Sequence, residues 1–117
     1  LLTTAGVRYK SDKPFITDCE NTDSSYRMIS KKGSNEEYII DHLHYDHRQA
    51  DQDVNCVFPI DALHVLHQEG SVGSVADCHF GLMGCISNTD ILIKKTIPKI
   101  LNLLIEDSVD CVVLTPG

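Results

Sequence analysis

Val109-Asp110-Cys111-Val112-Val113-Leu114, closed at once by Thr115-Pro116-Gly117, is a short, nearly continuous apolar run that ends in turn residues. Runs of this length and β-branched content suit strands buried on both faces, as in parallel sheets. Immediately upstream, Ile93, Ile97, Ile100, Leu101 and Leu104 recur at helical spacing, and Asn88 or Thr89 can cap the start of that helix. Pro98 falls inside the pattern. Because the apolar period continues past it, it predicts a kink rather than a stop.

Working outward, Ser71–Ser87 holds Val72, Val75 and Phe80 among Gly73, Gly81 and Gly84, which reads as a short strand and a tight loop. Before it, Pro59 suits a first helical turn, Asp61 favours the helix N-terminus, and Gly70 stops a helix over about 59–69 whose one face carries Ile60, Leu63, His64 and His67. His44–Asn55 is almost wholly polar. Tyr38–Leu43 and Tyr26–Ile29 read as strands, Arg8–Ser25 as a long loop with a turn around Pro14 and Phe15, and Leu1–Val7 as a buried strand closed by Gly6. Strand, helix, strand, helix, strand predicts right-handed crossovers and one parallel-sheet α/β domain over residues 1–117, Rossmann-like or flavodoxin-like in kind. In such sheets ligands gather at the carboxyl ends of the strands, so Gly6, His44 and Gly117 are expected on one rim.

Composition narrows the function. The 117 residues are 42% hydrophobic and 23% charged, a globular balance, and 17 acidic against 10 basic residues give a net charge of -7. That charge repels phosphate backbones, and only Lys31-Lys32 and Lys94-Lys95 pair up, so nucleic acid is not an expected partner. No apolar run reaches the ~20 residues of a membrane span, and no signal pattern opens the chain. Five scattered cysteines (Cys19, Cys56, Cys78, Cys85 and Cys111) suggest neither a disulfide framework nor a zinc ribbon, and point to reduced thiols in the cytoplasm. Leu1 opens inside an apolar stretch without Met, so the natural N-terminus is expected upstream.

Several side chains could carry chemistry. His42-Leu43-His44-Tyr45-Asp46-His47 has the H-x-H-x-D-H spacing of metallo-β-lactamase-type hydrolases, and neutral imidazoles with a carboxylate bind zinc well. The further ligands of such an enzyme have no counterpart here, and a hydrogen-bonding loop with His42 partly buried is the competing reading. His64 and His67 could share a metal but more simply form half-exposed surface. Cys56 sits at a helix entrance that could activate a thiol, although Val54, Val57 and Phe58 favour a small buried hydrophobe. Cys78, Cys85 and Cys111 read as packing residues. His79, just before the glycine loop, is a site candidate. Gly81-Leu82-Met83-Gly84 could offer N–H groups to an anion but lacks P-loop spacing.

The stretches LLTTAGV (1–7), DSSYRMI (23–29), DVNCVFPIDAL (53–63), EGSVGSVADCHFGLMG (69–84) and DSVDCVVLTPG (107–117) together resemble the selenoprotein subunit family of glycine, sarcosine, betaine and D-proline reductases. The likeness is strongest to the D-proline reductase branch. It implies reductive cleavage of a C–N bond in a small amino acid or amine. A pyruvoyl group on a partner subunit would hold the substrate amine, a selenolate would attack the α-carbon, and a dithiol or selenoprotein donor would restore the reduced state. In the family the selenocysteine or its cysteine counterpart directly follows the strand's T-x-G ending, a position that would be the residue after Gly117. The chain is therefore expected to be the N-terminal part of a larger subunit, stopped at a selenocysteine codon or cut there, and inactive alone. Tyr45, Asp46, Asn55 and His79 are the residues expected to line the pocket, with His42, His44, Asp46 and His47 as ligands in the zinc alternative. A non-catalytic assembly module is the third reading. A sheet edge left open by a missing half makes self-association expected.

Overall fold

A computed structural model describes residues 1–18, 20, 21, 23–30, 32 and 37–117; Cys19 and Lys31, named above, lie outside the described residues. Leu2–Thr3 (β1) and Val7–Tyr9 (β2) replace the single strand expected over Leu1–Val7. Gly6, with φ of 74°, turns the chain between them, a left-handed conformation that a Cβ disfavours. The order continues with Tyr26–Ser30 (β3), Tyr38–Ile40 (β4), a 3₁₀ turn over Val54–Cys56, helix Ile60–Gln68 (α1), Cys78–Leu82 (β5), a π-helical turn over Leu92–Thr96, helix Ile97–Glu106 (α2) and Leu114–Thr115 (β6).

The main sheet runs β3-β5-β1-β6, and a separate antiparallel pair joins β2 to β4. β1 lies parallel to both β5 and β6, but β3 lies antiparallel to β5. The purely parallel sheet read from the sequence is thus corrected to a mixed one, and no flavodoxin-like arrangement follows. The connections supply the reason. β5 and β6 are each reached through a helix, the connection that brings a strand back in the same direction. The described part of the segment between β2 and β3 contains no helix.

Strand alternation divides the core between the two faces. On one face Leu2, Phe80 and Leu82 pack beneath α2 through Ile100, Leu103 and Leu104. On the other, Leu1, Ile29 and Ala5 meet Val54, Val57, Phe58 and Ile60 from the 3₁₀ turn and the start of α1. Thr3 and Thr115, neighbours across β1 and β6, both donate their hydroxyls to the Val57 carbonyl at 2.9 and 2.7 Å, tying that segment across two strands.

Helix α1 falls almost where its start and stop signals predict, with Asp61 in its first turn. The Pro98 kink takes a specific form. Ile97 N–H reaches back five residues to the Leu92 carbonyl, and this wider turn accommodates a residue that can neither donate nor tolerate the carbonyl four positions earlier. Asn88 Oδ1 accepts Asp90 N–H at 3.0 Å and caps the entrance, as expected. The apolar stripe is only partly used: Ile100 is buried, whereas Ile93, Ile97 and Leu101 are exposed. The burial predicted for the final strand also fails, since β6 is an edge strand with Val113 and Leu114 open. Among the described residues no helix is long and apolar enough to cross a membrane.

Candidate functional site

The carboxyl ends of β1, β5 and β6 meet at one rim. Thr4 N–H donates to the Thr115 carbonyl at 3.0 Å and Gly6 N–H to the Leu82 carbonyl at 2.9 Å, so the chain leaving β1 is clamped between the ends of its neighbours. Over this junction folds the polar loop after β4. Asp41 N–H donates to the Gly6 carbonyl at 3.1 Å, and the Tyr45 hydroxyl to the Ala5 carbonyl at 3.2 Å. The loop is anchored from behind by Arg8, whose guanidinium grips Asp41 through two bonds, Nε to Oδ2 at 2.6 Å and Nη2 to Oδ1 at 3.0 Å.

Two glycines let these parts close. A Cβ on Gly84 would stand 2.8 Å from His42 Nε2 and 2.9 Å from the Thr4 carbonyl, and one on Gly117 would stand 2.7 Å from the Tyr45 ring and 3.0 Å from Ala5 Cα. Side chains at either position would push His42 or Tyr45 off the strand ends. Of the expected rim residues Gly6, His44 and Gly117, the two glycines are there, with His42 and Tyr45 as the side chains that touch them, whereas the His44 ring reaches the Thr17 carbonyl instead.

His42 is buried, and its Nδ1 accepts the His44 N–H at 3.1 Å. That bond places the proton of the neutral ring on Nε2, the atom that faces Gly84. Burial, with smaller contributions from the neighbouring His44 and His47, holds the imidazole's pKa below its usual value, so the neutral form prevails near neutral pH. The Tyr45 ring packs against His42 with centroids 4.9 Å apart. Burial first, and then the Asp51 carboxylate, push its phenol up to about 12, so it acts as a neutral hydrogen-bond donor.

The other expected pocket residues are placed elsewhere. Asp46 shares the loop, but its exposed carboxylate is held by Arg48 at 2.8 and 2.6 Å, which lowers its pKa. Asn55 connects Asp53 to α1: its Nδ2 donates to Asp53 and Asp61, and its Oδ1 accepts Asp61 N–H at 3.0 Å. It thereby caps a helix whose Pro59 makes no side-chain cap. His79 is buried in β5 against Phe58, with Nδ1 3.2 Å from the Leu1 amino group, at the amino end of the parallel strands.

The zinc alternative is not supported by the geometry. His42 Nδ1 is taken by a backbone N–H, Asp46 by Arg48 and His47 by Asp51 at 2.8 Å, while His44 Nε2 lies 3.4 Å from the Thr17 carbonyl. Among the described residues no group of three or more His, Cys, Asp or Glu side chains could hold a metal ion. Two cysteine expectations also change. Cys56 is free and exposed, because three residues per turn send Val54 and Val57 inward and Cys56 out. Cys85, directly after Gly84, is in a disulfide, which sequence spacing cannot report because pairing depends on distance in space. Sequence reasoning missed Gly84 as a rim residue, and of its two readings of His42, metal ligand or partly buried member of a hydrogen-bonding loop, the second agrees with the structure. A glycine two positions beyond a strand end was the available signal.

The family model for glycine/sarcosine/betaine reductase selenoprotein B matches residues 2–117. The chain belongs to this family. D-proline reductase subunit gamma of Acetoanaerobium sticklandii is 36% identical over 117 residues, which is 100% of this chain and 47% of that relative. The chain thus spans about half the length of the selenoprotein B-type relative it matches. No solved structure matches it. Three of the five stretches that carried the resemblance contain rim elements: 1–7 and 107–117 contain β1 and β6, and 69–84 contains β5 and Gly84; 23–29 lies on β3 and 53–63 on the 3₁₀ turn and the start of α1.

Proposed function

We propose that this chain forms the strand-end half of an amino-acid reductase subunit, which presents a nucleophile directly after Gly117 to a small substrate of the D-proline, glycine or betaine type. The observation that carries the reading is the meeting of Gly117 with Tyr45, and of Gly84 with His42, at the carboxyl ends of three parallel strands. Family membership supplies the chemistry. A selenocysteine or cysteine in that position is a good nucleophile because its anion is populated at neutral pH, and a pyruvoyl group on a partner subunit would retain the substrate amine.

The chain's own residues have definable tasks in this reading. The Tyr45 ring walls one side of the nucleophile and keeps water from it. His42, neutral with its proton on Nε2, offers a hydrogen bond to the nitrogen that departs from the α-carbon or to the anionic nucleophile at rest, without giving up the proton. Asp46 and Arg48 stand at the outer lip of the loop, where a zwitterionic substrate arrives. Asn55 and His79 serve as framework, through the α1 entrance and the sheet core. Turnover requires electrons from a dithiol or a selenoprotein donor.

The test extends the chain by one cysteine after Gly117 and combines it with a pyruvoyl-bearing D-proline reductase subunit, D-proline and a dithiol. The proposal expects ring-opened product from the extended chain and none from the chain ending at Gly117. His42→Leu in the extended chain, which removes the donor, should lower kcat by roughly 10²-fold with little change in KM. A folded, partner-bound extended chain that yields no product from D-proline, glycine or betaine would refute it.

A further inference from the structure

The surface around β6 is apolar and open, and its two parts face the same way. On α2 at about 100° per residue, Thr96 and Leu104 lie about 40° to opposite sides of buried Ile100. The Thr96 hydroxyl donates to the Ser24 carbonyl, next to β3, so its flank faces that edge of the sheet. Leu104 lines a cavity of about 480 Å³ with Val109 and Val113, so the opposite flank faces β6. Ile97, Leu101 and Ile105 lie on the Leu104 flank and are 40%, 52% and 64% exposed.

Leu114 completes the surface. It pairs with Leu2, so its side chain shares the α2 face of the sheet, and it is 69% exposed. The two edges of the sheet differ. At β3, the Tyr9 hydroxyl bonds both N–H and C=O of Ser30. At β6, no described strand covers the outer side. An unpaired strand beside an uncovered apolar helix flank is what a further helix-and-strand unit would bury.

We infer that this face receives a second α/β unit, one strand adding to β6 and one helix packing on Ile97, Leu101 and Ile105. The occupant is the portion of a selenoprotein B-type subunit that this chain does not span. The argument rests on coverage: the relative is about twice as long, so a stretch of similar size must pack somewhere. It does not depend on the reductase chemistry, and either could fail alone.

Hydrogen exchange tests the inference. The unmatched part of the Acetoanaerobium sticklandii subunit is supplied on the same polypeptide through a flexible linker. Amides of Leu114, Thr115, Ile97 and Lys99–Ile105 should exchange at least about tenfold more slowly than in the chain alone. Leu101→Asp with Ile105→Asp, both exposed, should abolish the gain while Leu2 and Phe80 stay protected. In the intact relative, positions aligned with these residues should be protected likewise, a readout that needs no joined polypeptide. Unchanged exchange at β6 in both proteins, with β1 and β5 still protected, would overturn the inference. So would a homodimer of the chain alone that already protects the same amides, since the occupant would then be a second copy.

Discussion

Arg8 gives the sharpest energetic prediction, because it ties the fold to the rim. Its side chain and that of Asp41 are 7% and 12% exposed. Besides the two bonds to Asp41, its Nη1 donates to the Tyr9 and Asp12 carbonyls at 2.9 and 3.1 Å, and Asp41 Oδ2 also accepts Phe15 N–H at 2.7 Å. Arg8→Met keeps much of the volume but leaves a buried carboxylate with one remaining backbone donor. Breaking such a pair from one side costs about 3–5 kcal/mol, a large part of the roughly 5–15 kcal/mol that holds a domain together. Urea unfolding followed by far-UV circular dichroism should show a midpoint lower by roughly 1–5 M at the ordinary urea sensitivity of about 1–3 kcal/mol per M. Adding Asp41→Leu should recover part of the loss, because the stranded charge disappears. A midpoint loss below about 0.3 M, or one that vanishes in molar salt, would mean that the pair behaves as an exposed surface contact and would refute the reasoning.

Further predictions concern the rim and its supports. Gly84→Ala should cost about 1–3 kcal/mol in urea unfolding, because the Thr4 carbonyl is backbone and cannot retreat; a neutral effect would disprove the close approach. Asn55→Ala should cost about 1 kcal/mol as a lost cap, without altering the tertiary signals of the rim. The depressed His42 pKa means that the unfolded chain binds more protons below the ordinary value of 6.5. This group's contribution to stability is therefore complete above about pH 6.5 and is lost as pH falls toward the folded value, with a slope of at most ~1.4 kcal/mol per pH unit. His42→Gln should flatten that part of the stability profile, and an unchanged slope would exclude His42 as its source.

The sequence made the two helices and the β3 strand legible because each had local signals: Asp61 and Gly70 around α1, Asn88 before α2, and β-branched or aromatic spacing at Tyr26–Ile29. It also made the rim legible, since helices before β5 and β6 imply strands parallel to β1. Strand direction at β3 was not legible, because nothing local in Tyr26–Ser30 distinguishes a parallel from an antiparallel neighbour. The burial of Leu114 was misjudged for a related reason. An apolar run records a need for burial, while the described residues leave that need unmet at the β6 edge. Of the proposed pocket residues, Tyr45 reaches the rim. Asp46, Asn55 and His79 are separated from it by partners, namely Arg48, Asp61 and the sheet core, that spacing alone could not reveal.

The account depends on β6 carrying its end beneath the Tyr45 ring and beside the His42 loop, and a nitroxide can measure that directly. With Cys56, Cys78 and Cys111 changed to serine, a spin label on a cysteine added after Gly117 should give its strongest relaxation at the amides of Ala5, Tyr45 and Gly84, fading toward Ser74 and His79. Relaxation strongest at Ser74 and His79, with Tyr45 and Gly84 spared, would contradict it.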